Sequence, residues 1–141
     1  MKRIGMYIVL IICSYWIGVL FFQGMHAILN IPEGSEYHLL YIGINLFYMF
    51  FVLPFYFIIT FALRFIAKIQ SVWIHAILLI GFGLVPSALV PFMGGFGFGY
   101  LNAQYFYSEM ALLLYAFFTG TAIAFCIGSG WITAKFSRWH T

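Results

Sequence analysis

Four long apolar runs, separated by short polar connections, make up most of the chain. The runs cover residues 4–22, 39–63, 72–90 and 110–132, and none of them contains a Lys, Arg, Asp or Glu. A helix of about 20 apolar residues is long enough to cross the hydrocarbon core of a bilayer. The pattern therefore predicts an all-α membrane protein, with four transmembrane helices in a single domain that covers residues 1–141.

The composition supports the same class. Of the 141 residues, 65% are apolar and 6% are charged, whereas soluble domains contain about 45–50% apolar and about 25% charged residues. Because so few charges cannot cover a water-soluble surface, a cytosolic enzyme, a secreted domain and a nucleic-acid-binding protein are excluded. The expected partner is the lipid bilayer, and no nucleic acid is expected.

The charged residues are sorted between the connections. Every basic residue lies before the first run, between the second and third, or after the fourth: Lys2, Arg3, Arg64, Lys68, Lys135 and Arg138. The acidic residues lie in the other two connections: Glu33, Glu36 and Glu109. Because basic connections stay in the cytoplasm, both termini are predicted to be cytoplasmic in a protein integral to the plasma membrane.

The basic start and the first run also resemble a secretory signal peptide. However, the run is longer than the roughly 7–15 apolar residues of a signal peptide, and QGMHA after Phe22 fits a cleavage site poorly. We therefore interpret the first run as a retained membrane anchor.

Prolines and glycines predict where the helices are irregular. Pro54 lies inside the second run, whose aromatic residues on all sides predict lipid contact. In the third run Gly81, Gly83 and Pro86 predict a bend, because proline removes a backbone hydrogen bond and collides with the preceding turn. The outer half of that run is expected to be irregular. Glycines and aromatic residues alternate at 94–100, which predicts a loop on the outer membrane surface.

No charged residue is predicted at membrane depth. An ionisable group there is costly and is kept for function, so proton-coupled transport and voltage sensing are disfavoured. Since no catalytic set is visible, we predict no enzyme activity and no cofactor, and an enzyme with a lipid substrate is a minor alternative. Cys13 and Cys126 are too deep for thiolate chemistry and are interpreted as packing residues.

One polar cluster contains residue types that bind metals. His26, Glu33, Glu36 and His38 lie within thirteen residues of one another, and zinc accepts imidazole and carboxylate ligands. Their spacing fits no established motif, and the segment between them is more simply interpreted as a turn. No metal site is therefore predicted.

A few polar residues fall inside the runs. Asn45, Ser87 and Thr119 define a candidate outer pocket, but we favour the alternative in which the hydroxyls bond to their own helices and Asn45 bonds to a neighbouring helix. The sequence GGFGFGY at 94–100 resembles a selectivity-filter loop. No pore helix or gating element accompanies it, so a channel of that kind is disfavoured.

The fourth run contains a periodic set of small residues. Ala116, Gly120, Ala124 and Gly128 recur every four positions, which places them on one stripe of a helix and lets another helix approach closely. Small residues of the first and third runs are available as counterparts: Ser14, Gly18, Gly83 and Ser87. We predict that the stripe packs inside the bundle, with Gly120 at the closest crossing; binding to another protein is the alternative.

The stretches LPFYFIITFALRF (53–65) and WIHAILLIGFG (73–83) resemble small four-helix membrane proteins of Bacillus-type bacteria, over about half of the chain. The resemblance implies a multi-pass protein of a bacterial cell membrane. That group has no assigned activity, so it implies no functional residue. Fluoride channels and small multidrug transporters share the length and the number of spans, but the dual-topology members have nearly balanced charges, unlike this chain.

Two functions of different classes fit these observations. The first is a non-enzymatic membrane protein that acts through helix contacts, as an immunity, regulatory or accessory subunit, with another membrane protein or a second copy as its partner. The second is a small permease or channel for a neutral or hydrophobic solute, which would use the pocket near Asn45 and Ser87. The lack of charges at membrane depth and the small-residue stripe favour the first.

The charge pattern makes a testable prediction about topology. A reporter domain that works only in the cytoplasm should be active when fused after Thr141. A reporter domain that works only outside the cell should be active when inserted between Glu33 and Glu36. The reason is that all Lys and Arg residues lie on the predicted cytoplasmic side. Reporter activity at both sites tests this, and the reverse pattern would contradict it. Activity of both reporter types at both sites would indicate dual topology instead.

Overall fold

The computed structural model describes residues 2–32, 34–92 and 102–137. Within these ranges, helices are joined by turns and short loops, and no strand is present. The α-helices are α1 (Lys2–Leu29), α2 (Ser35–Phe47), α3 (Leu53–Phe61), α4 (Val72–Phe82), α5 (Leu84–Pro91) and α6 (Glu109–Ser137). Shorter helical segments are π-helical at Tyr48–Val52 and Ala62–Ile66 and 3-10 at Tyr105–Tyr107. The predicted all-α class is confirmed for these residues.

Four helical stretches are long and apolar enough to cross a membrane: Ile4–Leu29, Tyr37–Ile66, Val72–Pro91 and Glu109–Phe136. Their number and order confirm the four predicted runs. The first helix continues well past its predicted end at Phe22, because the polar residues that follow do not break a helix. It ends at Leu29, and the next residue, Asn30, has a φ of 51°, the left-handed conformation that commonly terminates helices.

The second stretch accommodates a proline by widening its helix. The segment Tyr48–Val52 is π-helical, and the backbone N–H of Leu53 donates to the Tyr48 carbonyl, five residues earlier. A π turn relieves the collision between the ring of Pro54 and the preceding turn. The helical path then continues to Ile66, past the predicted end at Leu63. Arg64, which directly follows Leu63, is therefore helical as well.

The third stretch is interrupted at the predicted position. The α-helix breaks at Gly83, whose backbone N–H lies 3.0 Å from the carbonyl oxygens of both Leu79 and Ile80. The outer half was expected to be irregular, and that expectation is wrong, since α5 is helical to Pro91. The reason is that the break places Pro86 in the first turn of a new helix, where a missing N–H costs little.

The helices form an antiparallel bundle in which α6 is the most buried of the four long stretches. It packs along α1, where Leu10 lies against Gly128 and Phe21 lies against Gly120. The beginning of α1 and the end of α6 are therefore at the same end of the bundle. We call this the basic end, because residues 64–68 and Lys135 lie there too, whereas Glu109 begins α6 at the opposite end.

Large aromatic side chains fill the centre of the bundle. Tyr48, Tyr56, Phe117, Phe118 and Phe125 are almost completely buried. The distribution of aromatic residues round the second stretch predicted that they contact lipid. In the structure only some of them face outward, since Tyr48 and Tyr56 are buried. The reason is that the tyrosine hydroxyls find polar partners inside the bundle, while the phenylalanines of the opposite face are exposed: Phe50, Phe51, Phe55 and Phe61.

Candidate contact surface on helices α1 and α6

Glycine residues allow α1 and α6 to approach closely. A Cβ atom placed on Gly120 would lie 2.8 Å from Cγ of Phe21, and one placed on Gly128 would collide with Leu10. From the other helix, a Cβ atom on Gly18 would collide with Thr121. A larger side chain at any of these three positions requires the opposing residue to move, and at Gly128 the atom that must move is the flexible end of the Leu10 side chain.

The predicted small-residue stripe faces α1 along its whole length. Gly120 and Gly128 lie directly against α1 side chains, whereas Ala116 and Ala124 lie at the edges of two grooves beside the contact. The third stretch meets α6 on a different face, where a Cβ atom on Gly83 would lie 3.1 Å from Cβ of Phe118. The stripe is therefore a contact within the chain that also borders exposed apolar surface.

The larger groove has a volume of about 820 Å³ and runs beside the α1–α6 contact toward the basic end. We call it the α1–α6 groove; its walls include Gly5, Val9 and Cys13 of α1 and Ala124, Gly128 and Trp131 of α6. Cys13 is exposed, so the expectation that it packs inside the bundle is wrong, whereas Cys126 is buried. The difference arises because Cys13 lines the open groove beside the α1–α6 contact, whereas Cys126 belongs to the buried core.

The three residues of the predicted outer pocket have different neighbours. The Tyr15 hydroxyl of α1 donates to Oδ1 of Asn45 at 2.6 Å. The Ser87 hydroxyl donates to the carbonyl of Gly83, four residues earlier, at 2.7 Å. Thr119 lines a separate groove of about 460 Å³ between α1 and α6. The Gly-aromatic loop at 94–100 lies outside the described residues, so an outer pocket that includes this loop stays a prediction.

Of the four residues considered as metal ligands near the first connection, His26 packs against an aromatic ring. The ring of His26 lies 4.6 Å from the ring of Tyr37. Among the described side chains, which include neither Glu33 nor Glu36, no group of three or more His, Cys, Asp or Glu residues is placed to hold a metal ion. His38 is exposed beside α2's first turn.

Arg64 is a polar residue of the bundle that sequence reasoning missed. Its guanidinium group is half-buried and donates to the carbonyl oxygen and to Oγ of Ser129, each at 3.2 Å, and to the hydroxyl of Thr133. The residue was assigned to the loop because the apolar run stops one position earlier. The available signal was Thr60, which lies four residues before Arg64 and so shares its helix face.

No known protein family matches the chain, and no curated protein or solved structure matches it either. The resemblance to small four-helix membrane proteins therefore stays a prediction. The functional interpretation rests on the geometry of the described residues.

The close contact at Gly120 generates a testable prediction. Gly120→Leu should destabilise the bundle by about 1–3 kcal/mol, because the new side chain must displace Phe21, whose Cβ atom is held by the backbone and cannot rotate clear. Thermal aggregation of the purified protein in detergent measures the effect, and crosslinking shows which assembly fails.

Gly81→Leu is the matched control, because a Cβ atom at Gly81 meets nothing within 4 Å. It should leave the aggregation temperature close to that of the wild type. Equal behaviour of the two variants would contradict the prediction. Loss of an oligomer without loss of monomer stability would instead place the contact between chains.

Proposed function

We propose that this chain is a four-span membrane protein with both termini in the cytoplasm, and that it acts without catalysis as an accessory subunit of another membrane protein. Four helices of sufficient length and apolarity support the membrane location. The separation of basic from acidic residues supports the orientation, because basic segments stay in the cytoplasm. A bacterial plasma membrane is the location that the sequence resemblance implies.

The observation that carries the proposed role is the α1–α6 groove. Its walls extend along α1 from Gly5 to Ile17, a distance of about 18 Å at the rise of an α-helix. That is more than half of the hydrocarbon thickness of a bilayer, which is about 30 Å. A groove of this length and apolar character fits the side of a partner's membrane-spanning helix.

Small residues on both walls favour a helix as the occupant. Gly5 on α1 and Ala124 and Gly128 on α6 present little side-chain bulk to the groove. In lipid, helices associate mainly through van der Waals packing, so surfaces that permit close approach are the effective ones. Exposed large side chains at the edge, such as Trp131 and Ile127, would extend the contact.

The alternative function, a permease or channel for a neutral solute, has less geometric support. It relied on Asn45 and Ser87 as pocket residues, and both side chains are engaged in hydrogen bonds within the bundle. A solute would have to replace those bonds. We therefore propose contact with a partner helix, in a regulatory, immunity or other accessory role.

The exposed thiol of Cys13 provides a direct test. A photoreactive maleimide attached to Cys13 in membranes should crosslink to a second membrane protein, since the thiol lies in the groove. Gly5→Phe should abolish the crosslink by filling the groove, because Gly5 lines the groove and a Cβ atom placed there meets nothing within 4 Å among the described residues. Mass spectrometry of the adduct measures the outcome.

Gly81→Phe is the control for Gly5→Phe, because it adds the same ring to a glycine that is also open, on another helix. The proposal is supported if one protein is crosslinked to the wild type and to the Gly81→Phe variant, but not to the Gly5→Phe variant. An adduct of two copies of this chain would contradict the accessory role, and so would an adduct that Gly5→Phe does not affect.

A further inference from the structure

A positive charge, that of Arg64, lies at the basic end of the bundle, and its hydrogen-bond partners among the described residues are uncharged. The guanidinium group of Arg64 is bound by Ser129 and Thr133 of α6, which are uncharged acceptors. The acidic residue whose helix position is best defined, Glu109, begins α6 at the opposite end. The charge of Arg64 is therefore fixed in place but not neutralised by its hydrogen-bond partners.

A buried hydroxyl without a partner lies one helical turn from that charge. Thr60 is only 7% exposed, and its Oγ1 makes no hydrogen bond to any of the residues that the structure describes. Other buried hydroxyls of the bundle donate to carbonyl groups three or four residues earlier, as those of Thr121 and Ser129 do. Because native structures satisfy nearly all buried polar groups, the free hydroxyl of Thr60 indicates a missing partner.

Arg64 and Thr60 line the same pocket, which has a volume of about 440 Å³. Ser129, Thr133 and Tyr7 add hydroxyl groups to its wall, and the remaining wall is apolar, with Phe57 and Phe125 among its side chains. A pocket of this kind has a cationic, hydrogen-bonding part and a hydrophobic part. It matches a ligand that combines an anionic group with an apolar chain.

We propose that this pocket binds a phosphate group, with Arg64 as its charge partner and the Thr60 hydroxyl as an additional donor, and that a phospholipid is the source of the phosphate. Guanidinium groups bind phosphate through charge-assisted hydrogen bonds in a planar geometry. The phosphate would occupy the polar part of the pocket, and an acyl chain would lie along the phenylalanine side chains. The lipid source rests on the proposed membrane location, whereas the phosphate chemistry does not.

The lipid is favoured over free phosphate because of the apolar walls. A free phosphate ion would lose hydration on entering a pocket bordered by phenylalanine rings, and among the described lining residues Arg64 is the one cation that compensates it. A lipid headgroup brings an acyl chain that gains from the same surface. The basic end of the bundle is also the end at which a phospholipid headgroup of the cytoplasmic leaflet would lie.

Purified protein in detergent can be titrated with phosphatidylglycerol, with a diacylglycerol of the same chains, and with inorganic phosphate, and the bound fraction read by native mass spectrometry. We expect phosphatidylglycerol to bind the wild type most tightly. Arg64→Gln and Thr60→Val should each weaken it about tenfold or more, the usual size of one lost hydrogen bond to a charged group.

Thr60→Val keeps the test valid if Arg64→Gln fails to fold. The valine has the same shape, and the hydroxyl that it removes has no partner among the described residues, so the aggregation temperature without lipid should not fall. Thr119→Val is its control, because Thr119 lines a different groove. Lys68→Asn is the control for charge: it removes a basic residue of the same end, at a left-handed φ of 55° that asparagine tolerates.

The outcomes separate the alternatives. Equal binding of diacylglycerol and phosphatidylglycerol would overturn the proposal, and so would an equal loss of binding in Lys68→Asn and Arg64→Gln. Tight binding of inorganic phosphate would keep the phosphate site but overturn the lipid as its source. Because lipid binding is measured on the isolated chain, it is independent of the Cys13 crosslink, and failure of either experiment leaves the other proposal standing.

Discussion

The close contact between α1 and α6 is the constraint on which the rest of the bundle depends. Glycines at 18, 120 and 128 remove side chains where the two helices cross, and the opposing residues, Phe21 among them, occupy that space. In a bilayer, apolar side chains gain little by leaving lipid for protein, so association depends on packing and on hydrogen bonds. The contact lets α6 become the buried centre against which the second and third stretches pack.

Hydrogen bonds between helices provide the second element of cohesion. Ser14 bonds to Tyr48, and Tyr56 lies 2.9 Å from Oγ1 of Thr121, so two tyrosines of the second stretch are tied to the two helices of the central contact. Each of these hydroxyls is buried, and burial without a partner would cost about 1–3 kcal/mol. The polar residues therefore fix the rotation of the second stretch, which its aromatic composition alone would leave undefined.

The sequence was sufficient to predict the number and order of the long helices, but not where each helix ends or which side chains meet between helices. Uninterrupted apolar runs predict the number and order of the long helices, and the four-residue period of the stripe predicts which face of α6 carries the small residues. The run pattern does not predict helix ends, because α1 continues through polar residues to Leu29 and the second stretch continues to Ile66. The inward direction of Arg64 was missed for that reason: a residue placed in a loop has no helix face.

The N-terminal part of α1 separates the two surfaces for which functions are proposed. Tyr7 lines the pocket of Arg64, while Gly5 and Val9 line the α1–α6 groove on the other side of the helix. The position of this part of α1 against α6 is set by the contact of Leu10 with Gly128. A shift of α1 would change the walls of both surfaces, because the helix contributes side chains to each of them. The proposed lipid site and the proposed helix-binding groove therefore share one structural element, the N-terminal part of α1.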